Sequence, residues 1–243
     1  MSLRIHIGTS GWHYNHWKEN FYDADIRPEA MLDSYVQHFD TVEINNSFYR
    51  LPSKEAVKKW VRQTPSQFVF SIKASRYITH NRKLKEPEET LLRFLEMTKG
   101  FGRKLGPILF QLPPSWKANE GRLKEFLGAL PKRRRYAFEL RNQTWHTPRV
   151  LQILEQAGAA FCIFELNGFR SATHLTSDFV YVRLHGPGNA YQGNYPRSVL
   201  ANWARRIGAW AKEENDVFFY FDNDQRGYAA KNAAALQELV CGQ

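Results

Sequence analysis

The stretch Phe179–His185, FVYVRLH, sets the reading of the whole chain. Val180, Val182 and Leu184 fall on one side of an extended backbone, and Tyr181, Arg183 and His185 on the other. A period of two marks a β-strand. In a barrel strand the apolar side faces the surrounding helices, so Arg183 and His185 are expected to point inward near the strand's C-terminal end.

Seven further runs read as strands: 3–8, 41–47, 68–74, 107–112, 135–141, 159–165 and 217–222. Helix-like stretches lie between most of them. Pro28 to Phe39 opens with proline, which suits a first helical turn. Ser53 to Thr64 places serine where a cap belongs. Glu86 to Lys99 is followed by Gly100, a stop signal. Asn119 to Leu130, Pro148 to Gln156, Pro196 to Glu214 and Tyr228 to Val240 complete the series, and only 167–177 reads poorly as a helix. Alternation of this kind predicts a parallel sheet. Eight units predict closure into a single (β/α)8 TIM-type barrel domain over 1–243, with a poorly formed sixth helix.

The same parity assigns inward residues. Glu43, Asn45 and Ser47 come from the second run, Ser71 and Lys73 from the third, and Gln111 from the fourth. Glu139 and Arg141 come from the fifth, Glu165 from the sixth, and either Asp222 or Asn223 from the eighth. Polar groups thus gather at strand ends, the catalytic face of this fold. The first strand ends in GTSGWHYNHW (8–17), small residues followed by aromatic and histidine side chains. Trp12 is expected to wall the pocket and Trp17 to pack beneath the loop.

Composition narrows the partners. The chain has 243 residues and a formal net charge of +10, which favours encounter with anions: nucleic acid, acidic membrane or phosphorylated metabolite. No apolar run approaches the ~18 residues that would span a bilayer. Two cysteines, Cys162 and Cys241, do not make a disulfide framework. A strand begins at once after the N-terminus, leaving no room for a signal peptide. The cytoplasm is the expected location.

Several segments resemble the family known as domain of unknown function 72, the YecE-like family. They are IGTSGW, VEINNSFYRLP, FSIKASRYITH, ILFQLPPSW, AFELRNQTW, YVRLHGPG with YQGNY, and YFDND followed by AAKNA. These span nearly the whole chain in order. The resemblance implies a TIM-type barrel with a polar pocket at the strand ends and implies no particular reaction. The family pattern more often resembles Phe-Asn-Asn where this chain has Phe221-Asp222-Asn223.

The chemistry expected of the inward set is acid/base work with anion stabilisation. Lys73, Arg141 and Arg183 would hold negative charge and His185 would move protons, with Glu43 and Glu139 one layer below. Ser10, Asn45, Gln111 and Asn223 would orient hydroxyls, while Trp12 and Trp145 would pack against a ring. The glycine-bearing loop from Gly186 and the turn at Arg226, ahead of the last helix, are placed where TIM barrels often bind phosphate or sulfate. The same charges also read as a buried ion network that needs no substrate. His13, His16, His80, His146 and His185 form no HxxxH motif, and cations among the inward residues would repel a metal, so no metal or cofactor is expected. The run Lys132-Arg133-Arg134-Arg135 leads into the fifth strand and so belongs to the opposite face.

The leading expectation is a metal-independent enzyme for a small anionic, polyhydroxylated ligand such as a sugar phosphate or nucleotide fragment. The alternatives are a DNA- or RNA-binding or endonuclease-like protein, and a non-catalytic ligand sensor. Salt separates the first two, because polynucleotide binding weakens steeply with ionic strength.

Overall fold

Parallel strands and helices alternate along the chain in the computed structural model, which describes residues 5–242. Residues 3 and 4 of the first expected strand lie outside them. The strands are β1 (Ile5–Thr9), β2 (Thr41–Ile44), β3 (Val69–Lys73), β4 (Leu105–Leu112), β5 (Tyr136–Leu140), β6 (Ala160–Phe161), β7 (Ile163–Leu166), β8 (Phe169–Arg170), β9 (Phe179–Leu184) and β10 (Asp216–Phe221). They form two five-stranded sheets, ordered β1-β10-β9-β7-β8 and β2-β3-β4-β5-β6. Pairing is parallel except between β7 and β8. The result is a mixed α/β fold of parallel sheets and helices.

The sheets meet along two seams. At one, β6 and β7 belong to a single run: Ala160 and Phe161 pair with β5, while Ile163 to Glu165 pair with β9. Between them the Cys162 N–H donates to the Phe138 carbonyl at 2.9 Å. At the other seam Ser10 bridges Glu43 in parallel, and the Gly11 N–H donates to the Glu43 carbonyl at 2.8 Å. Gly8 permits this approach, since a Cβ there would lie 2.5 Å from the Thr41 carbonyl oxygen.

The helices are α1 (Met31–Tyr35), α2 (Lys54–Gln63), α3 (Pro87–Lys99), α4 (Glu120–Ala129), α5 (Pro148–Gln156), α6 (Arg197–Lys212) and α7 (Tyr228–Cys241). Side chains of Ser53, Asn119 and Thr147 accept from the N–H groups of Ala56, Arg122 and Val150, capping α2, α4 and α5. The helix expected over 28–39 is shorter. A 3-10 turn at Pro28–Ala30 precedes α1, and bonds from Gln37 to Ser34 and His38 to Tyr35 tighten its end.

The stretch 167–177 is no helix. Asn167 and Gly168 both have positive φ, 51° and 74°, and turn the chain into an antiparallel hairpin that pairs Glu165 with Arg170. Two successive left-handed residues make the turn that matches strand twist, and Asn-Gly is its sequence mark.

Outward strand residues such as Val42, Phe138, Val180 and Val182 pack with the helices in one apolar cluster. A second cluster packs on the opposite face of the strands, with Leu109, Cys162, Phe164, Phe179, Tyr181, Phe218 and Tyr220 among its members. Parity therefore corrects Glu165. Cys162 and Phe164 take the inner positions, and Glu165 turns to the other side, where Arg170 holds it at 2.9 Å. Among the described residues, no helix is long and apolar enough to cross a membrane.

Candidate functional site at the strand ends

Arg183, near the end of β9, is sealed from solvent and sits at the centre of the site. Its Nη2 donates to Glu43 Oε1 at 2.8 Å, to Asp222 Oδ2 at 2.9 Å and to Ser10 Oγ at 3.2 Å. Its Nη1 donates to Glu139 Oε2 at 2.7 Å. Both oxygens of Glu43 are engaged further: Ser10 Oγ donates to Oε1 at 2.5 Å and the Tyr181 hydroxyl to Oε2 at 2.7 Å. Burial works against the charge on Arg183. The Glu43, Glu139 and Asp222 carboxylates outweigh that effect and hold its pKa well above the usual arginine value.

His185 and Arg141 lie over this pair. His185 Nδ1 is 2.9 Å from Asp222 Oδ2, too bent for a well-formed hydrogen bond, and its Nε2 is 3.4 Å from Glu139 Oε1. Arg141 Nε donates to the same Glu139 oxygen at 2.5 Å. Burial alone would raise the Glu139 carboxyl, but Arg141, Arg183 and His185 hold it well below the ordinary range. Asp222 behaves alike: burial is overcome chiefly by Arg183, leaving a pKa of about 2. Both carboxylates are fixed anions at neutral pH. Three carboxylates, from Glu43, Glu139 and Asp222, thus surround one guanidinium. Among the described residues no group of three or more His, Cys, Asp or Glu side chains is arranged to hold a metal ion.

Lys73 differs from its neighbours. It ends β3, is 6% exposed, and its Nζ has neither a hydrogen bond nor an ion pair among the described residues. Its near neighbour is the Phe48 ring, 4.3 Å from Nζ to the centroid. Burial first, and then the charge of Arg183, lower its pKa to about 8 against the partial pull of Asp222, Glu139 and Glu43. A paired lysine would be locked in its charged form; this one keeps a minor but appreciable neutral fraction near neutral pH.

A cavity of about 570 Å³ opens at the loops after β1 and β2, lined by Trp12, Tyr14, Asn45, Asn46, Tyr49 and Trp60 among others, with Lys73 and Arg141 outside its lining. Gly11, with φ of 93°, makes the turn that brings the Tyr14 hydroxyl onto the Ser10 carbonyl at 2.6 Å. Trp17 is fully buried beneath the loop, as its position implied. With His16 it reaches the Asp224 carbonyl, tying the loop after β1 to the loop after β10.

The remaining expected residues divide. Gln111 is inward and nearly buried, with its amide donating to the Leu112 carbonyl. Asn45 reaches the cavity because β2 ends at Ile44. Ser47 Oγ lies within donor reach of the Ile44 and Lys73 carbonyls, and the chain turns there instead of continuing to 47. Asp222, not Asn223, is the inward residue of the eighth run, since Phe218 and Tyr220 share its parity. Asn223 is buried on the other side, donating to the Gly193 carbonyl and to Asn232. Trp145 is sealed against Trp116, its indole donating to the Trp116 carbonyl at 2.8 Å, so it supports the loop from below. The Gly186 and Gly193 amides donate to the Tyr195 hydroxyl and to Gln225, and Arg226 is exposed at the turn before α7.

Three residues near the cluster were not singled out as site groups. Tyr181 shares the parity of Arg183 and could have been read from it. Tyr191, at φ of 64°, lies edge-on over His185 and accepts from Arg141 at 3.2 Å. His80 packs edge-on against Phe48, so the same ring touches Lys73 and an imidazole. Arg133, Arg134 and Arg135 line a separate cavity of about 730 Å³ with His6 and Phe218, at the opposite strand ends as the basic run implied.

Fold and site together define a parallel α/β protein whose strands deliver a closed ion network and an unpaired amine to their C-terminal ends. The chain belongs to the family described as "Protein of unknown function DUF72", whose model matches residues 6–243. The UPF0759 protein YunF of Bacillus subtilis is 25% identical, covering 97% of this chain and 94% of that protein. The UPF0759 protein YecE of Escherichia coli K12 is 30% identical over 57% of this chain and 48% of its own. Among solved structures, a DUF72 family protein of Thermotoga maritima superposes with a TM-score of 0.88 at 24% identity, covering 98% and 99% of the two chains. A GH5_18 protein from Bifidobacterium longum subsp. infantis, at 11% identity and TM-score 0.54 over 100% of this chain and 79% of its own, is alike in fold alone.

Proposed function

We propose that this chain is a single-domain (β/α)8 enzyme that binds a small anionic, polyhydroxylated compound at the strand C-termini and acts on it by acid/base and electrostatic catalysis without a metal. The two seams support closure of the sheets into one barrel, since strand positions in chain order then neighbour one another all the way round. Two free cysteines, one buried and one exposed, support a reducing, cytoplasmic setting.

The observation that carries the functional reading is the unpaired Nζ of Lys73. A buried charge is normally compensated by a direct partner, and Arg183 and Arg141 both have carboxylates within hydrogen-bond reach. Lys73 has none among the described residues, so an incoming anion supplies the missing contact. Arg141, whose side chain retains 11% exposure, gives that anion a second donor. The aromatic and amide lining of the cavity at the loops after β1 and β2 suits a ring bearing hydroxyls. The Gly186 and Gly193 amides after β9 are already engaged within the protein, which moves the expected anion contact to Lys73 and Arg141.

Thermal unfolding in the presence of a panel of sugar phosphates and their unphosphorylated counterparts tests this. Stabilisation by the phosphorylated members that disappears in both Lys73→Met and Arg141→Met supports the site. Stabilisation that survives both substitutions places the ligand elsewhere.

A further inference from the structure

The mouth of the strands holds more than a charge to be neutralised. We infer that Lys73 is a carbonyl-trapping amine, whose Nζ condenses with the aldehyde or ketone carbon of a polyhydroxylated substrate to give an iminium linkage. This role rests on the strand mouth being a substrate site.

The geometry around Nζ favours a nucleophile. A lysine that stabilises the fold is served by a carboxylate on Nζ, and one that only attracts anions from solvent needs no burial. Lys73 fits neither description, being nearly buried at the end of β3 with no hydrogen bond or ion pair on Nζ among the described residues. Desolvation without a paired carboxylate is how lysine is made nucleophilic. The Phe48 face, 4.3 Å away, excludes water on one side and favours a cation. An iminium is a cation too, so this contact persists through the reaction.

A proton carrier stands against the same ring. His80 meets Phe48 edge-on with centroids 5.0 Å apart, and its Nδ1 is 2.9 Å from Thr79 Oγ1. The other ring nitrogen has no bonded partner among the described residues. Burial, then the charges of Lys73, Arg76 and Arg141, lower its pKa to about 4, so it is neutral at physiological pH and could carry a proton only transiently.

The step balances. The Nζ lone pair forms the C–N bond as the carbonyl π pair moves to oxygen, which takes up a proton from solvent, the one proton consumed overall. The nitrogen loses one proton to His80, giving a neutral carbinolamine. His80 returns a proton to the hydroxyl, which leaves as water while the nitrogen lone pair forms C=N⁺. No oxidant or reductant enters. Arg141 is positioned to hold a phosphate or carboxylate on the same molecule.

Reductive trapping tests the inference on the wild-type chain. The protein is treated at pH 7 with glyceraldehyde 3-phosphate and sodium cyanoborohydride, which delivers hydride to the iminium, and labelling is read per lysine by peptide mass spectrometry. At that pH an amine of pKa about 8 has roughly a tenth of its population free, against a few ten-thousandths for an ordinary lysine. Lys73 is expected to label at least about tenfold faster than the exposed Lys54 and Lys58. Equal or slower labelling overturns the inference. Repeating the reaction with unphosphorylated glyceraldehyde, and separately titrating inorganic phosphate by calorimetry, keeps the two readings apart. Selective labelling by both aldehydes at one rate supports the trapping amine and contradicts anion recognition. Arg141-dependent phosphate binding without selective labelling overturns the trapping amine and leaves anion recognition standing.

Discussion

Glu43 and Arg183 meet across the strand ends with two guanidinium nitrogens on one carboxylate oxygen, Nη2 at 2.8 Å and Nε at 3.1 Å, and neither side chain is exposed. The pair connects β2 to β9, strands that belong to different sheets. Ser10 joins it from the end of β1, Glu139 from β5 and Asp222 from just beyond β10. One guanidinium therefore ties both sheets together at the level where the site begins.

Removing that guanidinium leaves three buried carboxylates without their central partner. Arg183→Met is expected to lose about 3–5 kcal/mol of stability at pH 7, the usual effect of breaking a buried ion network from one side. Urea unfolding monitored by circular dichroism measures it. A loss below about 1 kcal/mol, the scale of an exposed pair, would mean that the carboxylates find other partners, and that the network is not what joins the sheets.

Asp222 gives the fold a dependence on acid. Its folded pKa of about 2 lies below the 3.8 of an unperturbed aspartate, so ionisation favours the folded state. The stabilisation is present above about pH 4 and is lost as pH falls through 4 toward 2, to the order of 2 kcal/mol. Asp222→Asn is expected to flatten the urea midpoint over that interval. An unchanged slope would assign the acid sensitivity to other carboxylates.

Lys73 works in the opposite sense at alkaline pH. Its folded pKa of about 8 lies below the 10.5 of an unperturbed lysine, so the unfolded chain binds the proton more tightly. Folding bears the full cost of the charged amine below about pH 8, and that cost is relieved as pH rises from about 8 to about 10.5. Lys73→Met is expected to be more stable than wild type at pH 7, by roughly 1–3 kcal/mol, while losing ligand-induced stabilisation. Stability given up at a site in exchange for function has this signature. A destabilised Lys73→Met would show that the amine has a structural partner after all.

Much of the architecture was legible because strand parity is strict. Val180, Val182 and Leu184 against Tyr181, Arg183 and His185 predicted the inner and outer faces, and the apolar members divide between the two clusters accordingly. The same parity resolves Asp222 over Asn223 once Phe218 and Tyr220 are counted. Parity held in the sixth run too, with Ala160, Cys162 and Phe164 inside; the error was to give the inner face to the polar Glu165, which Arg170 holds on the other side from a hairpin. The Asn167-Gly168 turn was written in the sequence, whereas the partner it delivers was not. Trp145 shows another limit, because composition places an aromatic residue on a loop without saying which way it packs. Tyr191 and His80 reach the cluster through loop backbones, for which sequence offers no period to read. Lys73 was legible as an inward cation. Its lack of a partner depends on distances among residues from different strands, and those exist only after folding.

Gly8 tests the seam between β1 and β2. Gly8→Ala would press a methyl group to 2.5 Å from the Thr41 carbonyl oxygen, with the Tyr35 hydroxyl also close. Displacing backbone is costly, and a loss of about 1–3 kcal/mol is expected by the ordinary cost of overpacking. A neutral substitution, measured by the urea midpoint, would mean the two strands can separate freely.

The most direct test of the central claim is the titration of the Lys73 amine itself, followed by NMR in protein carrying isotope-labelled lysine, with and without inorganic phosphate, using Lys73→Arg to assign the signal. An apparent pKa near 8 is expected in the free protein, moving upward when phosphate binds, since an anion favours the charged form. An amine that titrates with the exposed lysines, and does not respond to phosphate, would contradict it.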